Sequence, residues 1–211
     1  RNLAEACQAL GVDALVLIST DKAVNAGNVM GATKRVAELV CQAMNQSGGS
    51  TRFVTVRFGN VLGSTGSVIP LFERQLRAGG PLTVTHPDVT RYFMTVREAV
   101  ELVLQASAIP ASDAGTDSLF VLDMGDPVRI QDLARQMIRL AGAEIAIAYT
   151  GLRPGEKLTE ALFEESESPV PTSRDGILLA VPPGVSHEVL APELERLFAA
   201  AQARRTEETL A

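Results

Sequence analysis

The sequence predicts an α/β fold: a mostly parallel, doubly wound sheet with helices on both faces. Two patterns carry this reading. Short apolar runs such as Ala14-Leu15-Val16-Leu17-Ile18 alternate with stretches of helical period, the order expected of β-α-β units. Polar or Gly-rich segments leave these runs at their C-terminal ends, where parallel α/β sheets bind ligands. Composition agrees: 46% hydrophobic residues supply a core, and 4% aromatic without Trp makes it an aliphatic one.

The elements follow in order. Leu3, Ala6, Cys7 and Leu10 repeat at helical spacing over Asn2–Leu10, with Gly11 as the stop. Ala14–Ile18 reads as a strand buried on both faces. After the polar loop Ser19–Asn28 comes a helix over Val29–Gln46, ended by Ser47-Gly48-Gly49-Ser50. Phe53–Phe58 is the next strand, and Val68–Arg77 the next helix, stopped by Gly79-Gly80-Pro81. A short strand, Leu82–Thr85, follows. Thr95 caps a helix reaching Ala108. Ser118–Asp123 is a strand, Ile130–Ala141 a helix and Ile145–Tyr149 a strand. Residues 166–183 are rich in Ser, Pro and Glu and are expected to wind over the surface. A final helix starts with Pro192 in its first turn and buries Leu190, Leu194, Leu197 and Phe198.

The 211 residues amount to about 1.4 nominal domains. The formal charge of −6 disfavours nucleic acid as a partner, since phosphate contacts need a basic surface. Two cysteines, Cys7 and Cys41, make no disulfide scaffold and suit a reducing, cytoplasmic setting. No apolar run approaches the roughly 18 residues of a membrane span. His86 and His187 lack metal-ligand spacing, so no metal is expected. Arg1 lies inside what already reads as a helix, and the left edge of the domain is expected to be cut.

Gly59, Gly63 and Gly66 follow a strand and precede a helix, but their spacing is not the dinucleotide fingerprint G-x-G-x-x-G. They form either a plain turn or a loop facing ligand. The segment Ser19-Thr20-Asp21-Lys22 is more specific. Asp21 beside Lys22 offers an acid and a base whose pKa values the pair can tune, with Lys34 twelve residues on. On spacing alone, a capped turn with a solvated lysine fits equally well.

Five motifs in register extend this. Ser19-Thr20-Asp21-Lys22-Ala23-Val24-Asn25 is followed by Asn28-Val29-Met30-Gly31-Ala32-Thr33-Lys34-Arg35 and by Arg57-Phe58-Gly59-Asn60-Val61-Leu62-Gly63-Ser64. Thr90-Arg91-Tyr92-Phe93-Met94-Thr95 and Arg153-Pro154-Gly155-Glu156-Lys157 complete the set. Together they resemble the extended short-chain dehydrogenase/reductase superfamily, and within it the polysaccharide-biosynthesis nucleoside-diphosphate-sugar 4,6-dehydratases. The resemblance implies the second half of an NAD(P)-binding Rossmann fold, with a small α/β substrate-binding lobe. Residues 1–66 and 88–123 would belong to the Rossmann part, 67–87 and 124–183 to the lobe, and 184–211 to a C-terminal helix and tail. Met30 stands where the superfamily has Tyr, as in the family's large, membrane-associated branch. A membrane anchor is therefore left open for the parent, at the cytoplasmic face of the inner membrane.

The implied reaction removes hydride from sugar C4 to NAD, eliminates water across C5 and C6, and returns the hydride to C6. The resemblance implies Asp21 as the acid for the leaving hydroxyl, Lys22 as the base at C5 and Thr20 at the C4 oxygen. Lys34, with Ser19, Phe58 and Val61, would contact the cofactor, although the Gly-rich loop for its pyrophosphate is absent from the sequence. Asn60, Arg91, Arg153 and Glu156 would bind a UDP-sugar, UDP-N-acetylglucosamine being the implied substrate, and a homo-oligomer is implied. A C4 epimerase and a non-catalytic nucleotide-sugar-binding fragment are the alternatives.

Overall fold

The computed structural model describes residues 1–114, 118–183 and 185–210. Its helices are α1 (Asn2–Ala9), α2 (Val29–Gln46), α3 (Val68–Arg77), α4 (Val96–Ala108), α5 (Ala111–Ala114), α6 (Ile130–Leu140), α7 (His187–Gln202) and α8 (Thr206–Leu210). Its strands are β1 (Ala14–Ile18), β2 (Arg52–Arg57), β3 (Asn60–Val61), β4 (Leu82–Val84), β5 (Thr90–Arg91) and β6 (Phe93–Met94). They continue with β7 (Leu119–Leu122), β8 (Val128–Arg129), β9 (Ile147–Tyr149), β10 (Ser168–Pro171) and β11 (Ile177–Val181).

The main sheet has the order β1-β2-β7-β11-β10. β1, β2 and β7 are parallel, with Ala14 opposite Arg52 and Thr55 opposite Leu119. The period of two along each strand sorts side chains between two faces. Phe53 of β2 packs with Val40, Cys41 and Met44 of α2 and Leu194 of α7. Val54 and Val56 pack on the other face with Phe120, Leu122 and the α4 alanines Ala99 and Ala106. The same alternation turns Leu15, Leu17 and then Ser19 toward α2. Side chains cap the starts of α2, α4 and α7. Asn28 accepts from the N–H of Gly31, and Thr95 forms a capping box with Glu98.

A second core holds Phe72 of α3, Leu82 and Val84 of β4, Val89, and Ile130 and Ala134 of α6. Here β4 pairs in parallel with β9, and β5 pairs antiparallel with β8.

Three expectations are corrected. β1 is not fully buried: Val16 packs on one face and Leu15 and Leu17 on the other, but among the described residues β1 is bonded to β2 alone, and at this edge Ile18 is 44% exposed. Residues 166–183 do not simply wind over the surface. Ile177-Leu178-Leu179-Ala180-Val181 is an apolar run that enters the main sheet antiparallel to β7, with Ile177 and Ala180 buried. The sheet is therefore mixed, and β10 and β11 are part of it. Pro192 lies in the second turn of α7, because Ser186 caps the helix further upstream.

Candidate active site

The C-terminal ends of β1 and β2 face the second core across an open cleft of about 1160 Å³. Thr20 leaves β1 in extended conformation and caps a single 3-10 turn, Asp21–Ala23. The β2 extension grips this turn through its backbone: Ser19 N–H donates to Val56 O at 2.7 Å and Asp21 N–H to Phe58 O at 3.0 Å. From the other side α2 closes down because residue 31 is glycine. A Cβ there would sit 2.2 Å from the Lys22 carbonyl oxygen.

The predicted residues Thr20, Asp21, Lys22 and Asn60 come together as one bonded group. Thr20 Oγ1 donates to Asp21 Oδ1 at 2.9 Å, and Lys22 Nζ donates to the same oxygen at 2.9 Å. Lys22 Nζ also donates to Asn60 Oδ1 at 3.0 Å, which leaves the Asn60 amide N–H groups for the cleft. The Asp21 side chain has no exposed surface, so it lies beneath the cleft while Thr20 and Lys22 line it. Its second oxygen, Oδ2, is buried with no hydrogen-bond partner among the described residues. Residue 59 must stay small for this. A Cβ at Gly59 would stand 2.8 Å from Tyr92 Cβ and 3.2 Å from Asp21 Oδ2.

Met30, Phe58 and Val61 line the cleft as expected. Lys34 Nζ donates to the carbonyl of Ile18, at the end of β1, at 3.1 Å. Ser19 also lines the cleft, but its hydroxyl is committed elsewhere. It is buried, and its hydroxyl turns away from the cleft to donate to Glu38 Oε1 at 2.5 Å.

On the far wall, Arg91 is largely spent on protein partners. It donates to Thr90 O, Leu158 O and Glu156 Oε1. Glu156 also accepts from Thr85 Oγ1 at 2.9 Å and from the Arg153 N–H at 3.1 Å, so both its oxygens are engaged. It braces Arg91 and the 153–157 turn and offers no free oxygen to a ribose. Arg153 is exposed on the cleft wall with its guanidinium uncommitted. Lys157 ties the same turn to the active-site side by donating to Val24 O at 2.6 Å.

Behind the site lies a charge cluster that the sequence did not announce. Arg57 is fully buried and its five N–H groups all find acceptors. Nε and Nη2 reach the two oxygens of Glu38, Nη1 and Nη2 those of Glu167, and Nη1 also Leu162 O. Burial opposes the charge on Arg57, but the bonds to Glu38 and Glu167 outweigh it and raise its pKa. The one available signal was an arginine ending the apolar run Phe53-Val54-Thr55-Val56. Among the described residues no group of three or more His, Cys, Asp or Glu is placed to hold a metal ion, and no helix is long and apolar enough to cross a membrane.

The sequence profile described as "Polysaccharide biosynthesis protein" matches residues 1–182. The chain belongs to that family. It is 57% identical over 170 residues to the capsular polysaccharide biosynthesis protein CapD of Staphylococcus aureus, covering 79% of this chain and 28% of that protein. It is 35% identical over 158 residues to the UDP-glucose 4-epimerase of Rickettsia typhi, covering 74% of this chain and 45% of that enzyme. Among solved structures it resembles Pen from Bacillus thuringiensis, with a TM-score of 0.75 and 33% identity over 88% of this chain and 58% of that one. The resemblance drawn from the five motifs is borne out, as is the α/β Rossmann-type fold. The chain spans less than a third of CapD and under half of the epimerase.

Proposed function

We propose that the protein containing this chain is a nucleoside-diphosphate-sugar 4,6-dehydratase acting on a UDP-N-acetylhexosamine such as UDP-N-acetylglucosamine. The observation that carries the reading is the bonded group Thr20–Asp21–Lys22–Asn60 at the mouth of the cleft. It provides a hydroxyl, a carboxylate and an ammonium within one proton-transfer chain.

The residues present fit the nicotinamide end of NAD. Met30, Phe58 and Val61 give an apolar wall, and Lys34 spends one of its three ammonium protons on Ile18 O, keeping two for a ribose hydroxyl. Bound there, NAD supplies reversible hydride chemistry. The chain's own residues handle protons. Thr20 Oγ1 receives the C4 hydroxyl proton and passes its own to Asp21 Oδ1, so a carboxylate does the work that a neutral threonine alone does poorly. Lys22 Nζ gives a proton to the C6 hydroxyl as it leaves as water, takes the C5 proton, exchanges its ammonium protons with solvent at the open cleft, and delivers one of them to C5 as C6 is reduced. Asp21 then restores the Lys22 proton across their 2.9 Å bond. One water leaves, and the pair ends in its starting state. Because Asp21 lies wholly beneath the cleft, this assigns it as a proton store behind Lys22, not as the group that touches the leaving hydroxyl. Arg153 and the Asn60 amide are the diphosphate contacts.

Incubating the full-length protein with UDP-N-acetylglucosamine and NAD in deuterated water tests this. The expected product is lighter by one water before isotope correction and carries solvent deuterium at C5. An unchanged sugar overturns the reading. A C4 epimer of equal mass without C5 exchange favours the second reading, a UDP-sugar 4-epimerase, which the Rickettsia typhi relative motivates. A C4 epimerase has no use for an acid/base pair at C5 and C6, and Asp21–Lys22 therefore favours dehydration.

A further inference from the structure

The strongest feature outside the cleft is the Glu38–Arg57–Glu167 cluster, whose side chains are 2%, 0% and 0% exposed. Partly exposed Arg35 and Glu164 close its rim: Arg35 reaches Glu38 Oε2 at 3.1 Å and Glu164 Oε2 at 3.2 Å. Buried ion pairs give little net stability over apolar residues of the same size, so stability alone does not account for such a cluster. Its connections point elsewhere. Arg57 sits between Val56 and Phe58, whose carbonyls take the N–H groups of Ser19 and Asp21. Glu38 lies on α2, four residues after Lys34, and accepts the Ser19 hydroxyl. Glu167 and the Leu162 carbonyl bring in the segment that precedes β10. One guanidinium thus fixes the end of β2, the middle of α2 and residues 162–167, and through Glu38 it holds the residue just before Thr20.

We propose that Glu38 and Arg57 are positioning residues for the site, with Ser19 as the link through which they hold Thr20, Asp21 and Lys22 in register. The Ser19 side chain belongs to this bracing, not to cofactor binding. The inference rests on the reading of Thr20–Lys22 as the proton-transfer group. Its logic is geometric. Ser19 faces α2 while Thr20, the next residue of an extended chain, faces the other way into the cleft. Fixing Ser19 on one side therefore fixes the direction of Thr20 Oγ1 on the other.

The test uses the full-length protein with Ser19→Ala, which removes a single oxygen and keeps the backbone bond to Val56, and Arg97→Gln as a control. Among the described residues Arg97 pairs only with Glu101 on the exposed face of α4. Ser19→Ala is expected to lower kcat about tenfold, the loss typical of one charge-assisted bond, while KM stays within about twofold. Amide hydrogen exchange at Asp21, Ala23 and Val24, all bonded within or onto this turn, is expected to speed up by a similar factor. Arg97→Gln should change neither. The proposal is overturned if the folded Ser19→Ala protein keeps both its kcat and its exchange protection at residues 21–24. A parallel loss of UDP affinity and melting temperature would also overturn it, as the mark of a general structural role. If the parent protein turns over no UDP-sugar, the dehydratase reading fails, and the exchange measurement still decides whether the cluster holds this turn. Arg57→Lys, which cannot reproduce the planar fork, should show the same exchange signature where it folds.

Discussion

Two buried carboxylates, Asp21 and Glu38, lie 17 positions apart, on either side of the same strand end, and they are treated in opposite ways. Glu38 has both oxygens filled, by Ser19, Arg35 and two contacts from Arg57. Asp21 has one oxygen crowded with Thr20 and Lys22 and the other, Oδ2, buried with no partner among the described residues. A saturated group is fixed, because every proton and lone pair is committed. An orphaned buried oxygen is costly to keep, on the order of 1–3 kcal/mol, and it retains capacity to take a proton. The first arrangement suits bracing and the second suits chemistry, and the segment Ser19–Lys22 is where they meet.

The contrast can be broken most sharply at Lys22. Lys22→Ala should cut turnover about 10³-fold, the loss of a positioned proton-transfer group, while UDP binding measured by calorimetry stays close to wild type. Arg57→Met attacks the braced side. It leaves Glu38 and Glu167 buried without their cation, and denaturant unfolding should show a loss of about 3–5 kcal/mol. Cys41 reports the same event. Burial pushes its thiol up to about 11, so it should resist alkylation at pH 8 in the wild type and react once α2 loosens.

Smaller effects sharpen the picture. Gly59→Ala forces a Cβ against Tyr92 and Asp21 Oδ2, and overpacking of that kind costs about 1–3 kcal/mol in stability. Turnover should fall with it, because the same contact displaces the carboxylate; a variant of normal stability and normal rate would show that the space is not needed. Far from both carboxylates, Thr95→Ala should cost about 1 kcal/mol as a lost helix cap, without any effect on kcat. That cost shrinks as pH falls. The Thr95 N–H and hydroxyl hold the Glu98 carboxyl below its usual range, so the stabilisation is present above that range and fades as pH falls through it. The melting-temperature gap between wild type and variant should therefore narrow in acid.

Most elements were legible in the sequence because they depend on local pattern. Helix α2 over Val29–Gln46 and α3 over Val68–Arg77 begin and end at the residues expected from apolar period and caps. β11 was missed because its apolar run lies inside a Ser-, Pro- and Glu-rich stretch, and joining the sheet antiparallel is a long-range choice. β1 was read as buried because a continuous apolar run marks a strand covered on both faces, whereas its place at the end of the strand order is not a local property. The candidate site divides similarly. Thr20, Asp21, Lys22 and Asn60 were found from motif and strand-end position, and they do converge. That Glu156 is consumed by Arg91 and Thr85, and Ser19 by Glu38, depends on partners 65 to 71 and 19 positions away in the chain.

The α/β class, the limits of α2 and α3, the family and the cluster of polar residues at one strand end could be read without coordinates. All of these follow from short-range periodicity and from residue types in fixed order. Which polar groups are free and which are spent is a property of the folded chain. Hydrogen bonds between distant segments consume donors and acceptors, and that accounting exists only once Arg57, Glu38 and Glu167 share one dry interior while Lys22 faces the cleft.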